Sequence, residues 1–98
     1  MPFRIEYMPV AIGHLRHLTA DEQSRVLDGV DEQLTHEPDV RTRNRKPMEG
    51  NALAEWELRI GDLRVFYDVE RHPDTVVILA VGIKRRNRLW VGGEEIEL

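Results

Sequence analysis

The sequence predicts an α+β fold in the order β-α-α-β-β-β, with two N-terminal helices packed on one face of a twisted, mainly antiparallel four-stranded sheet. Three observations carry this. The run Trp56 to Tyr67 alternates apolar and polar residues on both sides of Gly61-Asp62, which marks a hairpin with a two-residue turn. Thr19-Ala20-Asp21-Glu22 matches a capping box, in which a threonine hydroxyl and a glutamate carboxylate satisfy orphan amides at a helix start. Thr75 to Lys84 is almost continuously apolar, as expected of a strand covered on both faces.

The elements follow in order. Phe3, Ile5 and Tyr7 alternate with Arg4 and Glu6 in a short strand, and Pro9 suits a first helical turn because its fixed φ is already helical. A helix of about two turns places Ala11, Leu15 and Leu18 on one side. The second helix starts at the capping box, carries the apolar stripe Leu27, Val30 and Leu34 with Val26 beside it, and ends before Pro38. Gly29 weakens it by up to ~1 kcal/mol relative to alanine. Residues 37–51 form a connection punctuated by Pro38, Pro47 and Gly50. Hairpin strands over about 53–60 and 63–70, a turn at Arg71-His72-Pro73-Asp74 and a last strand over 75–84 complete the sheet.

Counting outward from Gly61-Asp62 pairs Ile60 with Leu63, Leu58 with Val65 and Trp56 with Tyr67 on a buried face. Glu55, Glu57, Arg59, Arg64, Phe66 and Asp68 fall on the other face. On the last strand strict alternation groups Val77, Leu79, Val81 and Ile83 against Val76, Ile78, Ala80, Gly82 and Lys84.

Length and composition fit one domain over residues 1–98, with 41% hydrophobic and 33% charged residues. The absence of cysteine excludes a disulfide framework and a thiolate metal site, which fits a reducing cytoplasm. No run of about 18 apolar residues and no signal-peptide pattern occurs, so no membrane association is expected. His14 and His17 offer two imidazoles at i, i+3 without a third ligand, so neither metal nor cofactor is read; His36 and His72 fall at a helix end and a turn. Gly92-Gly93 marks a turn before the acidic tail.

The net charge of −4 argues against a nucleic-acid binder, yet distribution sets the field that a phosphate meets. Arg41, Arg43, Arg45 and Lys46 form one basic cluster, Lys84, Arg85, Arg86 and Arg88 a second, and the hairpin adds Arg59 and Arg64. The plain alternative is an ion-paired surface, with Arg59 and Arg64 neutralised by Glu57 and Asp68.

The element order, Pro47-Met48-Glu49-Gly50, Leu53, the run Trp56 to Tyr67 and Val81-Gly82-Ile83-Lys84-Arg85 together resemble the RelE/ParE superfamily of bacterial type II toxins. The resemblance implies a RelE-like fold, a cognate antitoxin as partner, and operator DNA bound only through the antitoxin complex. RelE-like members cut mRNA in the ribosomal A site, whereas ParE-like members inhibit DNA gyrase. Carried onto this chain, the RelE-like cations match Arg64 on the second hairpin strand, Lys84 at the end of the last strand with Arg86 two residues on, and Arg43, Arg45 or Lys46 in the preceding loop. The resemblance implies metal-independent cleavage, with these cations stabilising charge on the phosphate when a 2′-hydroxyl attacks it. Arg41, Arg59, Arg85, Arg86, Arg88 and Trp90 are the implied RNA contacts. Trp90 stands where the family commonly has tyrosine; an indole stacks on a base but supplies no phenol. A gyrase inhibitor and a catalytically weak antitoxin-binding module are the alternatives.

Overall fold

The computed structural model describes residues 2–50 and 53–97. It opens with β1 (Arg4–Tyr7), α1 (Pro9–Leu15) and α2 (Ala20–Leu34). The sheet continues with β2 (Arg45–Pro47), β3 (Trp56–Ile60), β4 (Leu63–Glu70), β5 (Thr75–Arg85), β6 (Arg88–Val91) and β7 (Glu94–Ile96). The sheet therefore has seven strands rather than four, in the order β2-β3-β4-β5-β6-β7 with β1 added parallel to β5. The extra strands are β2, from within the predicted connection, and two short C-terminal strands, β6 folded back onto β5 and β7 onto β6.

Helix α2 begins as its capping box dictates: the Glu22 amide donates to Thr19 Oγ1, and the Thr19 amide donates to the Glu22 carboxylate. Its buried stripe is Val26, Val30 and Leu34, while Leu27, expected inside, is exposed. At its other end Arg45 supplies donors. The Arg45 guanidinium donates to the carbonyl of Gln33, an acceptor that the helix C-terminus leaves open, and to the loop carbonyls of His36 and Val40.

The main core lies between the helices and the sheet. Ala11, Leu15, Leu18, Val26, Val30 and Leu34 meet Leu58, Val65, Tyr67, Val76, Ile78 and Val81. The predicted hairpin register holds from Trp56↔Tyr67 to Ile60↔Leu63, and Gly61 takes the turn at φ +60°. Trp56 and Tyr67 stack with ring centroids 6.3 Å apart, and the buried Tyr67 hydroxyl donates to the Pro38 carbonyl at 2.7 Å. Burial holds the Tyr67 phenol above its usual pKa and pushes Tyr7 up to about 12.

Strict alternation fails on β5. Phe66 pairs with Ala80 but Tyr67 pairs with Ile78, so Leu79 is an extra residue, a β-bulge. Val76 and Ile78 therefore share the helix-facing side with Val81 and Ile83. A second cluster of Phe66, Ala80, Leu89 and Val91 lies on the opposite face under Met48, Leu53, Ala54 and Ile96, so Phe66, expected on a charged surface, is buried.

One edge of β5 pairs with β4, and β1 and β6 divide the other. Between them the Val81 amide donates to His14 Nδ1 at 3.3 Å, pinning α1 across the junction. Nearby, the chain crosses closely at Gly82: a Cβ there would meet the Trp90 carbonyl oxygen at 2.6 Å and Val91 Cγ2 at 2.8 Å.

Two outcomes follow from this packing. Gly82→Ala should destabilise the protein by about 1–3 kcal/mol in chemical denaturation, because β6 backbone must move to admit the methyl group. Burial, then the neighbouring His17, lowers the His14 pKa below its ordinary 6.5. The unfolded chain thus binds its proton first as pH falls, so stability should decline below about pH 6.5 until the folded-state pKa is passed. His14→Gln should flatten that limb of a stability–pH profile; an unchanged slope would remove His14 from the account.

Candidate phosphate-binding face

The sheet face away from the helices carries the basic groups that the fold brings together. Arg64 pairs with Gly82, two residues before Lys84 on β5, so both side chains belong to this face. Their Cα atoms are about 8 Å apart by strand geometry. Arg59 stands directly opposite Arg64, and Lys46 directly opposite Glu57, on the same side. The face thus holds Lys46, Arg59, Arg64 and Lys84, with Glu57 among them.

Each group is positioned by a local feature. The tight turn brings Arg64 against the hairpin end, where its Nη1 donates to the Gly61 carbonyl at 2.7 Å and the Leu63 carbonyl at 2.9 Å. Burial lowers the pKa of the Arg64 guanidinium; Glu57 opposes that shift and Arg59 adds to it. The Arg59 Nε donates to Glu57 Oε1 at 3.0 Å. The Glu57 side chain is only 8% exposed, whereas that of Arg59 is 43% exposed. The expected pairing of hairpin charges thus occurs for Arg59 and Glu57; the Asp68 carboxylate instead accepts from the Glu55 amide.

Other predicted site residues lie elsewhere. Arg45 is drawn to the helix side because alternation on β2 turns it away from Lys46, and its fork is engaged by the carbonyls at the end of α2. Arg85 alternates away from Lys84 and pairs with Glu22 of α2 at 3.3 Å. Trp90 opposes Ile83 and packs against the main core, so its indole lies on the opposite side of the sheet from Arg64 and Lys84. Arg88 opposes Arg85 and pairs with Glu95 at 3.1 Å. Arg41 and Arg43 are exposed in the loop before β2, where Thr42 Oγ1 accepts from the amides of Asn44 and Arg45. Arg86 occupies the exposed β5–β6 turn at φ +53°, followed by Asn87 at φ +65°. That Arg-Asn pair, with Gly92-Gly93 beyond it, was the available signal for the C-terminal hairpins.

Groups able to move a proton are scarce on the basic face. Tyr7, Tyr67 and His14 all pack on the helix side, and Glu57 is the carboxylate that bonds one of the cations directly. Glu57 is the residue that sequence reasoning passed over, having assigned it only to charge neutralisation. A groove of about 520 Å³ is lined by Lys84, Arg88, Leu89, Glu95, Ile96 and Glu97. Among the described residues, no group of three or more His, Cys, Asp or Glu side chains is placed to hold a metal ion. No helix among them is long and apolar enough to cross a membrane.

Comparison with known proteins agrees with this architecture. The family model for the ParE toxin of the type II toxin–antitoxin system parDE matches residues 5–88. The toxin–antitoxin complex RelBE2 from Mycobacterium tuberculosis contains a chain similar to this one, with TM-score 0.73 and 26% identity, covering 86% of this chain and 100% of that chain. The archaeal RelE–RelB complex from Pyrococcus horikoshii OT3 contains another, with TM-score 0.68 and 26% identity, covering 88% of this chain and 99% of that one. No curated protein sequence matches the chain significantly. With the family pattern running from β1 through β5 and the same fold in both complexes, this chain belongs to the RelE/ParE superfamily of toxins of type II toxin–antitoxin systems.

Proposed function

We propose that this toxin is a ribosome-dependent mRNA endoribonuclease restrained by a cognate antitoxin. The observation that carries the reading is that Arg64, Lys84 and Lys46 share one sheet face, opposite the helices. In the reaction proposed, the RNA 2′-oxygen attacks the adjacent phosphorus and loses its proton. The bond from phosphorus to the 5′-oxygen breaks, giving a 2′,3′-cyclic phosphate and, once protonated, a 5′-hydroxyl. Negative charge rises on the non-bridging oxygens as this happens. Fixed guanidinium and ammonium groups favour that state over the ground state. The antitoxin partner is supported by the two similar chains, each of which was solved in complex with an antitoxin.

A second reading, inhibition of DNA gyrase through protein contact, is favoured by two observations. The matching family model is that of ParE, and the aromatic expected beside the cations is Trp90, which packs on the helix side. In that reading the arginines serve as surface charge.

Arg64→Ala divides the two readings. Its contacts are to exposed turn and strand carbonyls, so truncation spares the Leu58, Val65 and Tyr67 packing and should leave the fold and antitoxin complex intact. Loss of one transition-state cation should cost about 10²–10³ in cleavage rate, on the scale of oxyanion donors. The assay is purified ribosomes programmed with mRNA, run beside gyrase supercoiling. Absence of cleavage by wild type together with blocked supercoiling would replace the nuclease reading with the gyrase one.

A further inference from the structure

A cavity of about 190 Å³ lies on the helix side of the sheet, between the end of α1 and the turn that joins β6 to β7. The sheet separates it from Arg64 and Lys84. Leu18, Val81 and Ile83 give it an apolar floor, while His14, His17, Arg85 and the Trp90 indole form its wall. The β6–β7 turn closes one side. Gly92 and Gly93 take φ of +60° and +82°, and a Cβ on them would meet His14 Cδ2 at 2.9 Å and His17 Nδ1 at 2.8 Å respectively. Glycine thus makes the tight turn and also lets it lie against both imidazoles.

The polar groups of this wall are donors. Because His14 Nδ1 accepts from the Val81 amide at 3.3 Å, the neutral ring carries its proton on Nε2, which makes that nitrogen a donor rather than a metal ligand. The lowered pKa of His14 favours this neutral form. Arg85 gives Glu22 only its Nη2, leaving Nε and Nη1 available among the described residues, and an indole has a donor but no acceptor. The Glu22 carboxylate is itself committed to Arg85 and to the Thr19 amide. Donors above an apolar floor suit an anionic, acceptor-rich group on an apolar body. An apolar cavity of about 150 Å³ takes a benzene ring, so the space here admits a ring with a carboxylate.

We propose that this cavity binds a small monocarboxylic acid with a ring-sized apolar body, its carboxylate held by Arg85 and His14 Nε2 and its body lying against Trp90, Leu18 and Ile83. Arg85 and Trp90, which the fold removes from the basic face, acquire a role here. The site uses no group of that face, so it stands apart from both the nuclease and the gyrase readings.

The probe is benzoate, titrated against the purified chain by calorimetry and by proton NMR. Benzamide supplies the same body without the charge, and acetate the charge without the body. Benzoate should bind about tenfold or more tightly than either. At saturation the Trp90 indole N–H and the His14 and His17 ring resonances should shift, while those of Trp56, stacked on Tyr67, stay in place. Arg85→Met keeps the aliphatic stem and removes the fork. It should weaken benzoate about tenfold or more and leave benzamide unchanged. Arg64→Ala, on the other side of the sheet, should bind benzoate as wild type does. Absence of benzoate binding, equal binding of benzamide or acetate, wild-type benzoate affinity in Arg85→Met, or loss of binding in Arg64→Ala would each overturn the proposal.

Discussion

One extra residue in β5 governs the arrangement of this molecule. The bulge at Leu79 changes the phase of alternation in the middle of the strand, so Val76 and Ile78 before it face the helices together with Val81 and Ile83 after it. A regular strand would have turned one of those pairs to the other side, because the side-chain period of a strand is two. The same change fixes Gly82 and Lys84 on the face shared by Arg64. Core and basic surface therefore depend on one local irregularity, of a kind that often re-aims side chains near functional sites.

The strand that bulges is also the one on which most of the sheet converges. It pairs with β4 along one edge and divides the other between β1 and β6. An amide at such a division requires a partner from outside the ladder, since buried backbone donors are rarely left unpaired. His14 supplies the acceptor, which gives this histidine a structural role on α1. Gly82 serves the same junction by letting the β6 backbone approach. The helix side becomes a packed platform, and the other side carries the cations.

Arginines that look alike in sequence do different work here. Arg45 closes the end of α2, Arg85 pairs with Glu22 in the helix capping box, and Arg59 is tethered by Glu57 at the sheet surface. The first replaces missing intrahelical donors, whereas the last two are charge pairs of differing exposure. The Arg85–Glu22 pair, whose arginine is 59% exposed, contributes little to stability. Glu57 differs because its carboxylate is covered, and a covered carboxylate holds its partner in one geometry.

By itself the sequence determined the hairpin register, the capping box at Thr19, the first helix at Pro9 and the side of the sheet on which Arg64 lies. All of these arise from interactions within a few residues, or from a period counted outward from a single tight turn. The tertiary structure alone decided the bulge at Leu79, the return of the tail as β6 and β7, the burial of Phe66 and the outward position of Leu27. It also divided the basic clusters, sending Arg45, Arg85 and Trp90 to the helix side while keeping Lys46, Arg59, Arg64 and Lys84 together. The physical reason is the same in each case. Alternation tells which neighbours in sequence share a face, but where that phase slips, and which long side chain finds a better partner across the fold, depends on contacts between residues far apart in the chain.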